Sequence, residues 1–226
     1  MKTFALLLVP NMTQLDFTGP YEVLVRSPNA KVELVWKTLD PVQTEYGLTI
    51  TPTSTLSFLA HADVLFIPGG RGINAILTDE EVVRWVRRVA SEAEYVTSVC
   101  TGALLLGAAG LLRGRKATTH WTAMEMLSLF GAIPTKARTV FDGNLVTGAG
   151  VTAGVDFALR LVEKMHGLDI AQSIQLSMEY DPQPPFESGH PDTAPEEITK
   201  ALLERIEPRQ RERLDQVKRA IERLGP

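Results

Sequence analysis

The chain has 226 residues, 44% of them hydrophobic, and a formal net charge of −4. This length and apolar content predict one sizeable core with at most a short extension, and the acidic balance argues against a nucleic-acid partner, because such proteins carry a surplus of basic residues. Its single cysteine, Cys100, excludes an internal disulfide and favours a reducing cytoplasm.

The first predicted element is a buried strand over residues 3–9. No apolar stretch approaches the roughly 20 residues that cross a membrane, so we expect no membrane association. Asp16 is predicted on a loop after this strand, before a helix over residues 21–26. Two interpretations of Asp16 are open, a helix N-cap and a catalytic carboxylate at the carboxyl side of the sheet.

A glycine-rich loop is the next feature with functional potential. Strands are predicted over residues 31–39 and 62–68, with a small hairpin over residues 41–51 between them. The second strand ends in PGGRG, which lets the backbone approach a ligand closely. The N–H groups of Gly69 and Gly70 can then form half of an oxyanion hole. An ordinary turn between a strand and a helix is the alternative, and the spacing does not match a phosphate-binding loop.

Cys100 lies at the turn where a predicted strand (residues 95–99) runs into a predicted helix that ends near Gly110 or Gly114. The carboxyl end of a strand and the first N–H groups of a helix both favour ligands and anions. We therefore expect a depressed thiol pKa and a nucleophilic sulfur. The alternative is a small buried apolar side chain, since free cysteine is among the most buried residue types.

The remaining pattern alternates strands and helices, which predicts an α/β fold: a doubly wound, mostly parallel sheet with helices on both faces. Residues 1–194 are predicted to form the catalytic domain. Residues 195–226 are predicted to form a helical extension that packs on this domain or on a dimer partner. A helix over residues 78–94 is predicted before the cysteine turn. The predicted elements after it are strand 116–119, helix 122–130, hairpin 139–147, and helices 155–165, 169–178 and 195–224.

Three predicted loops meet at the carboxyl edge of one sheet. They carry Asp16, the Gly69-Gly70 amides and Cys100, which together supply an acid/base, an oxyanion donor and a nucleophile. We expect these groups to lie within reach of one another, because they follow strands of the same parallel sheet.

Several motifs resemble the ThiJ/PfpI superfamily, which has a class I glutamine amidotransferase-like, flavodoxin-like fold. They are IPGG at residues 67–70, VCTG at 99–102 and ATTHW at 117–121. Within this superfamily the chain is most similar to the isocyanide hydratases. The stretches that carry this likeness are QLDFTGP at 14–20, SVCTG at 98–102 and SGHPDTAP at 188–195.

The resemblance implies a cytoplasmic homodimer that adds water to an isocyanide, R–N≡C, and releases an N-substituted formamide through a cysteine thioimidate. It implies no metal and no organic cofactor. Cys100 is the implied nucleophile, Asp16 the acid/base and Thr101 a hydroxyl and N–H donor beside the nucleophile. By the same likeness Val151 lines the pocket.

Other activities in the superfamily stay open. Peptidases, amidases and glyoxalase-like members often carry Glu on the first loop and His after the cysteine, where this chain has Asp16 and Thr101. This difference argues against peptide hydrolysis. His120 is either a second acid/base near the cysteine or a structural hydrogen-bonding group.

A non-catalytic function is a further alternative. AraC-type regulators carry a similar domain as a ligand sensor, fused to a helix-turn-helix module. Only one helix is predicted after residue 195, so we expect no such module and no nucleic-acid binding. A free-standing ligand or redox sensor remains compatible with the lone thiol.

Overall fold

A seven-stranded sheet runs through the computed structural model, which describes residues 1–224. The strands of the chain are β1 (Lys2–Leu7), β2 (Ala30–Trp36), β3 (Val42–Gln43), β4 (Thr49–Ile50), β5 (Ser54–Thr55), β6 (Val64–Ile67), β7 (Tyr95–Val99), β8 (Lys116–Ala117), β9 (Ile133–Pro134), β10 (Thr139–Asp142) and β11 (Leu145–Gly148). The order across the main sheet is β10-β11-β7-β6-β1-β2-β5. All neighbours in it are parallel except β10 and β11, so the predicted mostly parallel sheet is confirmed.

The helices pack in two groups against this sheet, which confirms the predicted doubly wound architecture. They are α1 (Gln14–Leu24), α2 (Ile73–Ile76), α3 (Glu80–Ala90), α4 (Gly102–Ala108), α5 (Met124–Leu129), α6 (Ala153–His166), α7 (Leu168–Ser177) and α8 (Glu196–Leu224). Helix α6 contacts α1 and α7, whereas α4 contacts α2, α3, α5 and α8. The strands between the two groups are buried along their whole length at β6 and β7, as expected for a sheet covered on both faces.

The sequence interpretation placed the start of the first helix wrongly. Helix α1 begins at Gln14, so Asp16 lies in its first turn and not on a loop, and Thr13 takes the N-cap position. Pro20 is inside the helix, although proline is typical of a first helical position. It is accommodated where α6 approaches closely: a Cβ on Gly154 would lie 2.8 Å from Pro20 Cγ.

Helix α8 packs against α2, α4 and α5 of the α/β domain. It is one continuous helix with Pro208 inside it, and its buried residues are Ile206, Arg213, Val217 and Ala220. The loop before it and its first turns are mostly exposed. Residues 225 and 226, the end of the predicted extension, lie outside the described residues. No helix within residues 1–224 is both long and apolar enough to span a bilayer.

Candidate active site

Cys100 is held in a strained turn at the end of β7. Its φ angle is 54°, a left-handed conformation that non-glycine residues rarely adopt. The Cys100 N–H donates to the carbonyls of Gly148 and Ala149, at 3.1 and 2.7 Å, while the Thr119 hydroxyl donates to the Cys100 carbonyl at 2.6 Å. Backbone strain that neighbouring elements enforce in this way is typical of functional sites.

The predicted site residues converge above Gly69. A Cβ placed on Gly69 would lie 2.7 Å from Asp16 Oδ2, 2.7 Å from Cys100 Cβ and 2.6 Å from the Thr101 nitrogen. Only glycine leaves room for all three groups at this point. The carboxyl group from the start of α1 and the side chain of the cysteine turn therefore lie together at the carboxyl edge of the sheet.

Asp16 is a buried carboxyl group with weak partners. It has no solvent exposure, and burial raises its pKa to about 7; the Cys100 thiol and the Gly69 N–H oppose this rise, and the charge of Glu45 adds to it. Neither carboxyl oxygen has a donor that meets full hydrogen-bond geometry within the described residues. A buried polar group left this way requires a functional explanation, and a pKa near 7 suits proton transfer in both directions.

The expected depression of the thiol pKa is wrong. Cys100 is only 5% exposed. Burial and the Asp16 carboxylate raise the thiol pKa, and the Thr101 N–H and the charge of Arg213 lower it less. The resting sulfur is consequently a thiol beside a carboxyl group that can take its proton.

The Gly70 N–H has a different partner from the predicted oxyanion. The Gly70 N–H donates to the Thr101 hydroxyl at 3.0 Å, and the Thr101 hydroxyl donates to the Gly70 carbonyl at 3.2 Å. Gly70 has a φ of 118°, and a Cβ at this position would lie only 2.2 Å from the Thr13 nitrogen. The loop after β6 therefore contacts both the start of α1 and the cysteine turn at Gly70. The Thr101 N–H, by contrast, faces the Cys100 sulfur.

His120 makes structural hydrogen bonds beside the site. Its Nδ1 is 2.8 Å from the Thr122 hydroxyl and accepts from the Thr122 N–H at 3.3 Å. Burial, together with the charges of Arg213 and Arg209, lowers its pKa to about 4, so the ring is neutral at pH 7. The geometry supports the structural interpretation over a second acid/base.

Val151 lies in the turn between β11 and α6 and is partly buried against the core. A Cβ on its neighbour Gly150 would lie 3.5 Å from His120 Cδ2. The turn that carries Val151 therefore lies against the ring of His120.

Sequence reasoning missed charged groups that surround the site. Glu45, from the β3–β4 hairpin, lies 3.8 Å from both Arg71 and Arg209. Arg213 of α8 is buried, with 4% of its surface exposed, and its charge lowers the pKa of Cys100. A signal for Arg213 existed, because Ile206, Val217 and Ala220 define a buried helix face that includes position 213.

No group of three or more ligating His, Cys, Asp or Glu side chains occurs within residues 1–224. The site brings together a buried thiol, a carboxyl group whose pKa is raised to about 7, and the Thr101 N–H beside the sulfur.

A cysteine on a strained turn between a parallel strand and a helix, facing a carboxyl group from the first turn of another helix, defines a flavodoxin-like α/β protein with a cysteine at its site. Comparison with known proteins makes this class specific. The chain belongs to the DJ-1/PfpI family, whose model matches residues 2–164.

Individual relatives share most of the chain. It is 49% identical to the isonitrile hydratase of Pseudomonas putida over 97% of this chain and 96% of that protein. A ThiJ/PfpI family protein from Pseudomonas syringae has a crystal structure that matches with a TM-score of 0.93 at 43% identity, over 96% of this chain and 90% of that one. The HTH-type transcriptional regulator CdhR of Pseudomonas aeruginosa is 29% identical over 78% of this chain but only 54% of the regulator.

Proposed function

We propose that this protein is an isocyanide hydratase that converts R–N≡C and water into R–NH–CHO. The observation that carries the proposal is the buried pair of Asp16 and Cys100, in which the pKa of the carboxyl group is raised to about 7. The substrate class is supported by the isonitrile hydratase of Pseudomonas putida, which is 49% identical to this chain.

The first step forms a covalent thioimidate. The Cys100 sulfur attacks the terminal carbon of the isocyanide while its proton passes to Asp16, and Asp16 returns this proton to the same carbon. The product is R–N=CH–S–Cys100, so the thiol has added across the carbon with no net change in charge. A carboxyl group with a pKa near 7 is present in both protonation states at neutral pH, so it is suited to accept a proton and to donate one.

The second step is hydrolysis of this intermediate. The Asp16 carboxylate takes a proton from water as the water oxygen attacks the thioimidate carbon, and Asp16 passes this proton to the imine nitrogen. Collapse of the tetrahedral species breaks the carbon–sulfur bond, transfers the remaining hydroxyl proton to the sulfur through Asp16 and releases R–NH–CHO. One carboxyl group therefore serves both steps.

The neighbouring groups have supporting roles in this proposal. The Thr101 N–H stabilises negative charge on the sulfur, and its hydroxyl holds the Gly70 loop against the cysteine turn. Val151 lines the substrate pocket. His120 acts as a structural group, because its Nδ1 is already engaged by Thr122.

The direct test mixes purified protein with cyclohexyl isocyanide and measures N-cyclohexylformamide by chromatography and mass spectrometry. Wild type is expected to turn over, Cys100→Ala to be inactive, and Asp16→Asn to lose at least about 100-fold, since general acid–base catalysis contributes about that factor or more. Asp169→Asn, which removes an exposed carboxylate from α7, is the matched control and should behave as wild type.

Two outcomes would contradict the proposal. Turnover of a glyoxal or a peptide without formamide production would favour another activity of the family, and isocyanide binding without turnover would favour a sensor. Acid quenching during turnover tests the covalent step separately. We expect Cys100 to gain the mass of the isocyanide where hydrolysis of the intermediate is slowed, and an unmodified cysteine in a stalled Asp16 variant would leave the covalent step unsupported.

We also propose that the protein is a cytoplasmic homodimer. The segment over residues 181–205 supports a second copy as the partner, because it exposes Phe186 (77%), Ile198 (54%) and Leu203 (42%) on one stretch of chain. Phe186→Ser should weaken the dimer in analytical ultracentrifugation, whereas Phe58→Ser, an equally exposed control at 85%, should not. A wild-type monomer at micromolar concentration would contradict this proposal, and cell fractionation tests the location.

A further inference from the structure

Arg213 is a buried cation without a carboxylate partner. Its Nε donates to Asn74 Oδ1 at 3.1 Å and its Nη1 donates to Gln210 Oε1 at 2.7 Å. No carboxylate oxygen of residues 1–224 lies within 4.0 Å of its guanidinium, although many surface arginines of the chain have such a partner. A charge buried in this way is costly, so its position requires a functional explanation.

Hydrogen bonds to α2 and to its own helix fix the position of the Arg213 side chain. Helix α8 packs on α4, which begins directly after that turn, and on α2, which supplies Asn74. Gln210, one turn before Arg213, donates to the Thr122 carbonyl at 2.7 Å. Thr122 in turn binds the ring of His120. Two neutral amide side chains therefore hold the guanidinium. Asn74 belongs to α2, which follows the glycine-rich loop, and Gln210 connects to the turn that carries His120.

The charge of Arg213 reaches both titrating groups on this side of the site. It lowers the pKa of Cys100, against the larger effects of burial and of the Asp16 carboxylate. It also lowers the pKa of His120. Burial lowers the pKa of Arg213 itself to about 10, so the guanidinium stays protonated at neutral pH.

Other charges near Arg213 partly cancel one another. Arg209, one turn earlier on α8, adds positive charge, and Glu212 and Glu45 add negative charge. Asp16, on the α1 side, is the anion that opposes formation of a thiolate. Arg213 is the buried cation of this set.

We propose that Arg213 is a positioning residue of the reaction, a fixed and unpaired positive charge from the last helix that stabilises the negative charge of the Cys100 sulfur during attack. The inference rests on the proposed function in that it takes Cys100 as the nucleophile. It assigns to α8 a part in the chemistry besides its packing contacts.

The test compares Arg213→Gln and Arg213→Lys with Arg219→Gln, which removes the same charge from an exposed position of the same helix. Alkylation of Cys100 by iodoacetamide is followed by intact mass as a function of pH, and the single cysteine makes the signal unambiguous. Arg213→Gln should need about one pH unit more to reach the wild-type rate, the size of shift that a nearby charge produces. Arg213→Lys should restore most of this shift, and Arg219→Gln should show none.

A second readout separates loss of charge from loosening of the structure. The pKa of His120 is measured by NMR, with its resonance assigned by its loss in His120→Gln. Loss of the Arg213 charge should raise the pKa of both Cys100 and His120. A loosened site would instead lower the pKa of Cys100 and raise that of His120, since burial acts on them in opposite directions.

The outcomes of this test do not depend on isocyanide turnover, so failure of the proposed function is distinguishable from failure of the inference. An unchanged pH dependence of alkylation in Arg213→Gln would overturn the inference, as would a shift to lower pH or equal behaviour of Arg213→Gln and Arg219→Gln. If formamide production is observed, Arg213→Gln should reduce kcat more than it raises KM, because it acts on the sulfur rather than on substrate binding.

Discussion

Asp16 and Arg213 enter the site from opposite ends of the chain, and each is a buried ionisable side chain without an ion pair in the described residues. Burial affects them differently. The carboxyl group has a pKa raised to about 7 and therefore gains and loses a proton near neutrality. The guanidinium has a pKa lowered only to about 10 and keeps its charge. One residue is suited to carry protons, and the other to act as a permanent charge.

The largest effect expected from this difference is on stability in Asp16→Asn. The folded-state pKa of Asp16 lies above the unfolded value of 3.8, so the unfolded state binds fewer protons between about pH 4 and 7 and stability falls as the pH rises through that range. A shift of this size corresponds to about 4 kcal/mol at pH 8. Because a buried amide retains part of the cost, we expect Asp16→Asn to be at least about 2 kcal/mol more stable than wild type there.

Urea unfolding of both proteins at pH 5 and pH 8 measures this difference. His120 changes stability in the opposite direction, since its lowered pKa makes stability fall as the pH drops below about 6.5, but it is present in both proteins and cancels in the comparison. The advantage of Asp16→Asn should shrink by pH 5. An equal advantage at both values would mean that folding does not raise the pKa of Asp16, which would then carry a permanent charge as Arg213 does.

The next largest effect should come from the group that links the two loops. Thr101→Val removes a hydroxyl that serves both the N–H and the carbonyl of Gly70. Buried groups left without partners cost about 1–3 kcal/mol, so we expect a loss of about 2 kcal/mol in the free energy of unfolding. Thr101→Ser keeps the hydroxyl and is the control. Equal losses in the two variants would assign the effect to the methyl group and not to the hydrogen bonds.

These two regions also explain what the sequence reveals and what it hides. Asp16 and Cys100 were predictable because each follows a strand of a recognisable parallel sheet, and the carboxyl ends of such strands share one edge. The start of α1 was not predictable, because Pro20 lies inside this helix although proline is typical of a first helical position, and its ring packs closely against Gly154 of α6. Propensity rules describe a helix in isolation, and here tertiary packing decides.

Arg213 and the thiol pKa were missed for a related reason. In the sequence, α8 reads as a charged amphipathic helix, and only its place on the apolar face distinguishes the buried Arg213 from exposed arginines such as Arg211 and Arg219. The prediction of a low thiol pKa was based on the nearby helix N-terminus and did not include the burial of the thiol beside a carboxyl group. Burial depends on which distant elements cover a residue, so it becomes visible only when the chain is folded.

Replacing the permanent charge should have a smaller effect on stability than replacing the proton carrier. In Arg213→Met the loss of bonds to Asn74 and Gln210 is offset by removal of a buried charge, and such exchanges are often close to neutral. We expect a change below about 1.5 kcal/mol by urea unfolding, with Arg219→Met near zero. A loss of about 3 kcal/mol or more, the size seen when one partner of a buried ion pair is removed, would show that Arg213 mainly holds α8 in place.

The smallest effect on activity is expected for His120→Gln, which tests whether Asp16 is the sole acid/base of the site. The ring of His120 is neutral near pH 7 and is engaged by Thr122, so we expect less than about a tenfold loss in kcat/KM, below the range that general acid–base catalysis contributes. The pH profile of kcat/KM should show a titration near pH 7 from Asp16 in both wild type and His120→Gln. If this titration vanishes in His120→Gln, His120 and not Asp16 is the proton carrier that complements the permanent charge of Arg213.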